Sequence, residues 1–200
     1  MYLRPVFAET DPERIDALIA AHSFGVLVTH HAGAITASHL PFTVRREDGA
    51  LVLDGHLAAA NPQCAAFAGG EATAIFGGPH AYISPGWYAA QPAVPTWDYA
   101  AVHVSGRLEL VEDAGEIRAM LRALAAHDPT GYDMATAPPA FMAGMLRGIR
   151  AFRLRAERVE AQWKMSQNRS VLDRRQVIAA LVAQGQGDVA ALIAATLPRF

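Results

Sequence analysis

Alternating apolar and polar residues predict six strands along the 200-residue chain. Runs rich in Val, Ile, Leu and Thr that are bounded by turn residues are typical of half-buried strands. The predicted strands cover residues 24–30, 34–44, 51–56, 71–76, 99–111 and 149–155, and the last continues towards Val159. Short turns at Gly33 and Gly49 join the first three strands, which predicts an antiparallel meander. Gly106, inside the fifth strand, predicts a bulge.

Apolar residues that recur every three or four positions predict helices around these strands. The clearest helix runs from Asp113 to His127, where Ile117, Leu121 and Leu124 share one face. Further helices are predicted near residues 12–22, 57–68, 138–146, 171–182 and 189–197. Residues 77–95 form an aromatic, Gly- and Pro-rich loop, and loops of that length are often functional. The pattern predicts an α+β fold with a six-stranded antiparallel barrel core and peripheral helices.

The composition narrows the classes of function. Hydrophobic residues make up 52% of the chain and charged residues 18%, so extended disorder is excluded. The net charge of −2 gives no overall basic field for nucleic acid, although a local patch remains open. Cys64 is the only cysteine, which excludes an intrachain disulfide and a thiolate zinc site. The sequence has no signal-peptide pattern and no run of 18 apolar residues, so we expect a soluble cytoplasmic protein without a membrane partner.

The only lysine marks a candidate binding segment. Of the 17 basic residues, 16 are Arg and one is Lys164, and residues 47–106 contain no Arg or Lys. An anionic ligand near that stretch would need charge from another part of the chain. Residues 163–169 could supply it, because they offer two cations, a hydroxyl and two amides before a predicted helix. The alternative is that Lys164 pairs with a nearby carboxylate or lies in solvent.

Imidazoles and aromatic rings collect at strand ends and in the long loop. The sequence contains none of the common nucleotide-binding, zinc-protease or serine-hydrolase motifs. The spacing of His39, His56, His80 and His103 does not require a metal, so we assign no metal ligand. The rings of the long loop and the fifth strand fit a core, an interface or a surface for a flat ligand ring. They are Tyr82, Trp87, Tyr88, Trp97 and Tyr99.

Several strings, in chain order, resemble one known family. They include SHLP (38–41), ANPQ (60–63), FGGPHAYISP (76–85), VPTWDYAAVH (94–103) and KMSQNR (164–169). These strings resemble the PaiB-type proteins, which are described as FMN-binding negative transcriptional regulators. The resemblance covers essentially the whole chain. It implies the split β-barrel of the pyridoxamine-phosphate-oxidase-like flavoproteins, a homodimer, and FMN in grooves between the subunits.

The resemblance also implies a set of cofactor-binding residues. The strand that carries His39, Leu40 and Pro41 would approach the isoalloxazine ring. A second group would lie near the phosphate or the ribityl chain: His56, Asn61, Gln63, Thr96, Trp97 and Tyr99. A third group would close the site, from the same chain or from the partner: Lys164, Ser166, Gln167, Asn168 and Arg169. No catalytic residue is assigned.

The leading interpretation is therefore a dimeric FMN-binding split barrel of the PaiB type with a role in transcription control. The resemblance predicts the FMN-binding domain over residues 1–165 and a C-terminal helical extension, packed on it, over residues 166–200. One alternative is a flavin-dependent oxidoreductase in which FMN carries hydride or electrons. A second is a haem-binding or cofactor-free interaction module. DNA is a partner by resemblance only, and its candidate surface is a set of eight arginines in residues 147–175.

Overall fold

The computed structural model describes residues 1–126 and 128–198, which form eight strands and five α-helices. The strands are β1 (Ala8–Glu9), β2 (Phe24–His31), β3 (Ala34–Pro41), β4 (Thr43–Glu47), β5 (Ala50–Ala58), β6 (Glu71–Ile83), β7 (Thr96–Val111) and β8 (Ile149–Lys164). The helices are α1 (Pro12–Ala21), α2 (Ala114–Ala125), α3 (Pro139–Arg147), α4 (Val171–Ala183) and α5 (Gly187–Ala194). Within these described residues, no helix is long and apolar enough to cross a bilayer.

The strands form one sheet in the order β3-β2-β6-β7-β8-β5-β4, and β1 pairs with β8. The path over the described residues has two ends, β3 and β4, and does not close on itself. Five strand pairs have a defined antiparallel register. They are β1 with β8, β2 with β3, β2 with β6, β4 with β5, and β5 with β8. The α+β class and the antiparallel sheet are as expected from the sequence.

The expected count of six strands is wrong for two reasons. The second predicted strand is divided into β3 and β4, and β1 was not predicted, which gives eight strands. Residues 34–44 divide at Phe42, whose N–H donates to the carbonyl oxygen of Ser23 instead of entering either ladder. β3 pairs with β2, whereas β4 pairs with β5 at the opposite end of the sheet. The two predicted pairings are present, β2 with β3 and β4 with β5, but the continuous meander is wrong because β3 and β4 lie at opposite ends of the sheet.

Other boundaries move by shorter distances. The strand β6 takes in residues 77–83, which the Gly and Pro content assigned to a loop. The helix expected over residues 57–68 is the end of β5 followed by a 3-10 helix at Pro62–Phe67. The clearest predicted helix is α2, and its expected end at His127 lies outside the described residues.

The chain divides into two compact units. The first unit consists of Met1–Ile15, Gly77–Val102 and Glu160–Phe200, and the second consists of Asp16–Phe76 and His103–Val159. The domain boundary expected at residue 165 remains a prediction.

Each unit has its own buried apolar residues. In the second unit, the ring centroid of Phe42 lies 5.2 Å from that of Phe76 and 6.1 Å from that of Phe152. Phe67 packs on Phe152 at 4.7 Å. The first unit buries residues of β6, of the turn after β8 and of α4 and α5: Ile83, Met165, Val177, Leu181 and Ile193.

Candidate functional site

Polar side chains meet in the first unit around Asp98, which is fully buried near the start of β7. Ser166 donates its hydroxyl hydrogen to Asp98 Oδ2 over 2.6 Å, and Lys164 Nζ lies 3.4 Å from Asp98 Oδ1. Lys164 also donates to Thr96 Oγ1 over 2.6 Å and to the carbonyl oxygen of Trp97. An ammonium has three N–H groups, so these acceptors use its whole donor capacity. Lys164 therefore pairs with a carboxylate and does not lie free in solvent, and its expected contact with FMN stays a prediction.

The environment of Asp98 acts on its charge in two directions. Burial raises the pKa of Asp98 above its ordinary value, because the carboxylate is removed from water. The hydrogen bond from Ser166 and the positive charge of Lys164 both lower the pKa of Asp98 and so partly offset burial. Lys164 therefore acts on Asp98 as its counter-ion, with 22% of its own side chain exposed.

The turn between β8 and α4 is held by its own side chains. Ser166 has a φ of +57°, in the left-handed region that non-glycine residues seldom adopt. Gln167 Oε1 accepts a hydrogen bond from the Met165 N–H over 2.6 Å, and Gln167 Nε2 donates to the Trp163 carbonyl oxygen. Gln167 thus has local partners and Ser166 bonds to the distant Asp98, whereas Asn168 is exposed.

Arg169 differs from Lys164 in its surroundings. Its guanidinium carbon lies 4.1 Å from the centroid of the Tyr88 ring, a cation–π contact with a buried tyrosine. In the described part of the chain, no carboxylate oxygen lies within 4.0 Å of this guanidinium. The nearby carboxylate of Asp173 accepts instead from the N–H groups of Ala89 and Ala90, at 2.8 and 3.1 Å. Arg169 can therefore still receive an anion.

The aromatic cluster expected from the sequence is divided by burial. Tyr88 is buried, whereas Trp97 and Tyr82 are 54% and 46% exposed. The rings of Trp97 and Tyr82 meet edge to face at 6.0 Å, and His80 lies 6.1 Å from Trp97. Tyr99, on the same strand as Trp97, accepts a hydrogen bond from Gln162. The first unit thus exposes a cluster of tilted aromatic rings made by His80, Tyr82 and Trp97.

Four residues of the expected cofactor site lie on strands of the second unit. His39, Leu40 and Pro41 belong to β3, and His56 belongs to β5. His39 is exposed and stacks on Phe24, with ring centroids 6.3 Å apart, whereas Leu40 is buried. Pro41 and His56 line a small cavity that is roofed by residues of α2, with a volume of about 10 Å³. Burial lowers the pKa of the His56 imidazole. The cavity has room for about one water molecule and none for a flavin ring.

Asn61 and Gln63 connect the 3-10 helix to the strands beside it. Asn61 Oδ1 accepts from the Gln63 N–H over 2.9 Å, and Asn61 Nδ2 donates to Ser38 Oγ over 3.2 Å. The buried Gln63 Nε2 lies 3.0 Å from the carbonyl oxygen of Leu27 and 3.1 Å from Thr29 Oγ1. These contacts hold this corner together, so both side chains have structural partners.

Asp98 is the residue of the site that the sequence analysis did not single out. It is the only acidic residue between Glu71 and Glu109. A lone acid in a strand of alternating apolar residues is a signal, because buried charges are paired. The lone Lys164 then supplies the matching partner.

Arg153 and Arg155, two of the four arginines of β8, form ion pairs with carboxylates. Arg153 pairs with Asp54 and with Glu116, each at 3.1 Å. Arg155 pairs with Glu109 at 3.0 Å and with Glu47. Across residues 1–126 and 128–198, no group of three or more His, Cys, Asp or Glu side chains could hold a metal ion.

Comparison with known proteins identifies the family. Residues 1–158 match the family model described as "Putative FMN-binding domain". The chain is 36% identical over 184 residues to "Protease synthase and sporulation protein PAI 2" of Bacillus subtilis (strain 168). This alignment covers 89% of this chain and 87% of the relative. The matched family region contains His39 to Tyr99 of the expected site and ends before Lys164.

Two solved structures share the fold at low identity. The flavocytochrome Anf3 from Azotobacter vinelandii aligns with a TM-score of 0.60 and 14% identity over 81% of this chain and 72% of its own. The FAD and haem binding protein from Mycobacterium smegmatis aligns with a TM-score of 0.59 and 16% identity over 78% of this chain and 73% of its own. The family match and the Bacillus relative confirm the PaiB-type resemblance. The chain therefore belongs to the family described as "Putative FMN-binding domain", and FMN is its cofactor.

Proposed function

We propose that this protein is an FMN-binding regulator of the PaiB type, and that it works as a homodimer with a split-barrel core. The observation that carries the proposal is the family match over residues 1–158, because it covers both ends of the sheet and the strands between them. The eight-stranded sheet supports the split barrel, since its path ends openly at β3 and β4.

The donor groups of the first unit fit the phosphate of FMN at Arg169. The phosphate is close to a dianion at neutral pH, and a guanidinium can meet two of its oxygens at once. The donors of Lys164 are already directed at three protein acceptors, whereas no carboxylate oxygen of the described residues lies within 4.0 Å of Arg169, which acts on Asp173 only through its charge. We assign the phosphate contact to Arg169 and Asn168. Lys164, Ser166 and Gln167 then position the turn that carries these two residues.

The family resemblance assigns the heterocycle, and not the phosphate, to the strand that carries His39, Leu40 and Pro41. We propose that the ring lies at the exposed side of β3, where His39 is accessible, and not inside the small cavity that Pro41 and His56 line. Leu40 and Gln63 are buried, so their contribution is to support this surface. When bound, FMN would supply electron-transfer chemistry, and these residues would orient it.

The exposed aromatic surface of the first unit supports a homodimer. Trp97, Tyr82 and the 69% exposed Val94 place large apolar groups in solvent in a single chain. A C2 dimer that buries well over roughly 2,000 Å² in total would be typical of an obligate pair. Light scattering at micromolar concentration tests this, and a stable species of 21.4 kDa would contradict it.

The visible spectrum of freshly purified protein tests the cofactor. A flavin absorption spectrum would support the proposal. A Soret band without flavin would favour the haem-binding alternative. Two structural neighbours bind both flavin and haem, which is why this alternative is tested. Bleaching by NAD(P)H followed by reoxidation with one specific acceptor would favour a flavin-dependent oxidoreductase.

We propose that transcription control is indirect. The net charge of −2 is unfavourable for nucleic acid, and Arg153 and Arg155 of β8 are already paired with carboxylates. Arg174, on α4, is also occupied, because it donates to the carbonyl oxygen of Thr196. A sequence-selective, salt-sensitive gel shift by the purified protein would contradict this part of the proposal.

A further inference from the structure

A second cavity lies in the second unit, away from the residues proposed for FMN. It is bordered by α2 and by the segment that leads into α3, and its volume is about 210 Å³. Arg118 and Arg122, on successive turns of α2, line one side. The remaining lining residues are apolar or small: Met134, Ala135, Ala137, Pro139 and Met142. The cavity therefore combines two positive charges with an apolar wall.

The two positive charges lack a counter-charge in the described part of the chain. Like charges four residues apart destabilise a helix by a few tenths of a kcal/mol. Residues one turn before and after this pair are Ala, Gly or Leu, and Glu116, the acid of α2, pairs with Arg153 instead. No carboxylate oxygen of the described residues lies within 4.0 Å of either guanidinium, and Arg118 donates only to the carbonyl oxygen of Ala114. An anion at this place would remove an existing repulsion.

The start of α3 adds to the same field. Pro138 occupies the capping position and has no side-chain acceptor, and the first turn of α3 contains no acidic residue. The free N–H groups at the start of a helix carry partial positive charge. Because Pro139 lines the cavity, this uncapped end borders it beside the two arginines.

We infer that this cavity binds a small organic carboxylate with an apolar body. The planar fork of a guanidinium matches the two oxygens of a carboxylate. The flexible side chains of Met134 and Met142 adapt to an apolar or aromatic body. A volume of about 210 Å³ has room for a single-ring compound. The inference shares no residue with the proposed FMN contacts and stands independently of them.

Benzoate is the probe that separates the two recognition elements. We expect saturable binding of benzoate by calorimetry, with NMR shifts confined to Arg118, Arg122, Met134 and Met142. Benzyl alcohol keeps the ring and loses the charge, and inorganic phosphate keeps the charge and loses the ring. Each is expected to bind at least about tenfold more weakly than benzoate, since each loses one class of contact.

Matched variants test the role of the arginine pair. Arg122→Ala should weaken benzoate at least about tenfold, and Arg122→Lys should recover part of the loss. Arg175→Ala removes the same charge from an exposed position of α4 in the first unit, and it should bind benzoate as the wild type does. Thermal unfolding checks that all variants are folded. Equal affinity of Arg122→Ala and the wild type, equal affinity for benzoate and benzyl alcohol, or no saturation up to about 20 mM would overturn the inference.

Discussion

Ser166 donates its hydroxyl hydrogen to Asp98 over 2.6 Å although the two residues are 68 positions apart in the chain. Both are buried, and Ser166 holds the left-handed φ of +57°. For a residue with a Cβ, that conformation costs about 1 kcal/mol. A hydrogen bond to a charged acceptor contributes about 1.5–3 kcal/mol and offsets this strain. Asp98 is thus the residue that fixes the turn between β8 and α4.

Asp98→Ala should destabilise the protein by about 3 kcal/mol. The change removes the acceptor of Ser166 and leaves Lys164 without its counter-ion, and breaking a buried pair typically costs about 3–5 kcal/mol. The lower end applies because Lys164 is partly exposed. Urea unfolding measures the change. Glu71→Ala, which breaks an exposed 3.8 Å pair with Arg107, is the control and should cost less than about 1 kcal/mol.

The contribution of Asp98 to stability should decrease as pH rises. Its pKa is raised in the folded state, so between its unfolded and folded pKa values the native protein binds more protons than the unfolded chain. We compare the free energy of unfolding of the wild type with that of Asp98→Asn. The wild-type value minus the variant value should be greatest below the ordinary aspartate pKa and should fall as pH rises through the pKa of Asp98 in the folded protein. Urea unfolding from about pH 4 to pH 7 tests the sign. A difference that grows with pH would show that Lys164 outweighs burial.

Lys164→Ala and Arg169→Ala should separate folding from cofactor binding. Lys164→Ala leaves the carboxylate of Asp98 without its counter-ion, so its main effect should be a loss of stability. Arg169→Ala should weaken FMN about tenfold to a hundredfold, because one charge-assisted contact is lost. Flavin fluorescence titration and thermal unfolding of both variants provide the measurements. If Lys164→Ala loses FMN affinity at wild-type stability, the phosphate contact belongs to Lys164.

Local patterns predicted most strands, and the errors lie where pairing with distant segments decides the structure. Residues 34–44 alternate as one strand would, but β3 and β4 pair with different neighbours and must separate at Phe42. In β6 the buried positions are even-numbered up to Gly78 and odd-numbered at Ala81 and Ile83. Such a one-residue shift is typical of a bulge, and it conceals the strand from a test for alternation.

The sequence identified the unusual residues of the candidate site, but it did not show which residues they contact. Composition alone marked Lys164 as exceptional, and the structure places it in a buried ion pair. Its partner Asp98 lies 66 positions away on another strand; the sequence marks each residue as unusual, but only the fold brings the two together. The exposure of Trp97 and the burial of Tyr88 likewise depend on tertiary packing, because both lie in the same aromatic segment.

Gly106→Ala should be among the most damaging small substitutions in this chain. The sequence marks Gly106 as unusual in a strand, and the structure gives the reason: a Cβ there would lie 2.0 Å from the carbonyl oxygen of Arg155 on β8. Rotation of a side chain cannot relieve a contact with backbone, so β7 and β8 would have to move apart.

Overpacking of this kind costs about 1–3 kcal/mol, and the short contact favours the upper end. For a chain of this size that corresponds to a fall in Tm of roughly 6–12 °C. Gly77→Ala is the matched control on β6, since its Cβ would meet nothing within 4 Å. Differential scanning calorimetry of both variants decides the matter. A Gly106→Ala protein that unfolds at the temperature of Gly77→Ala would mean that the two strands separate without cost.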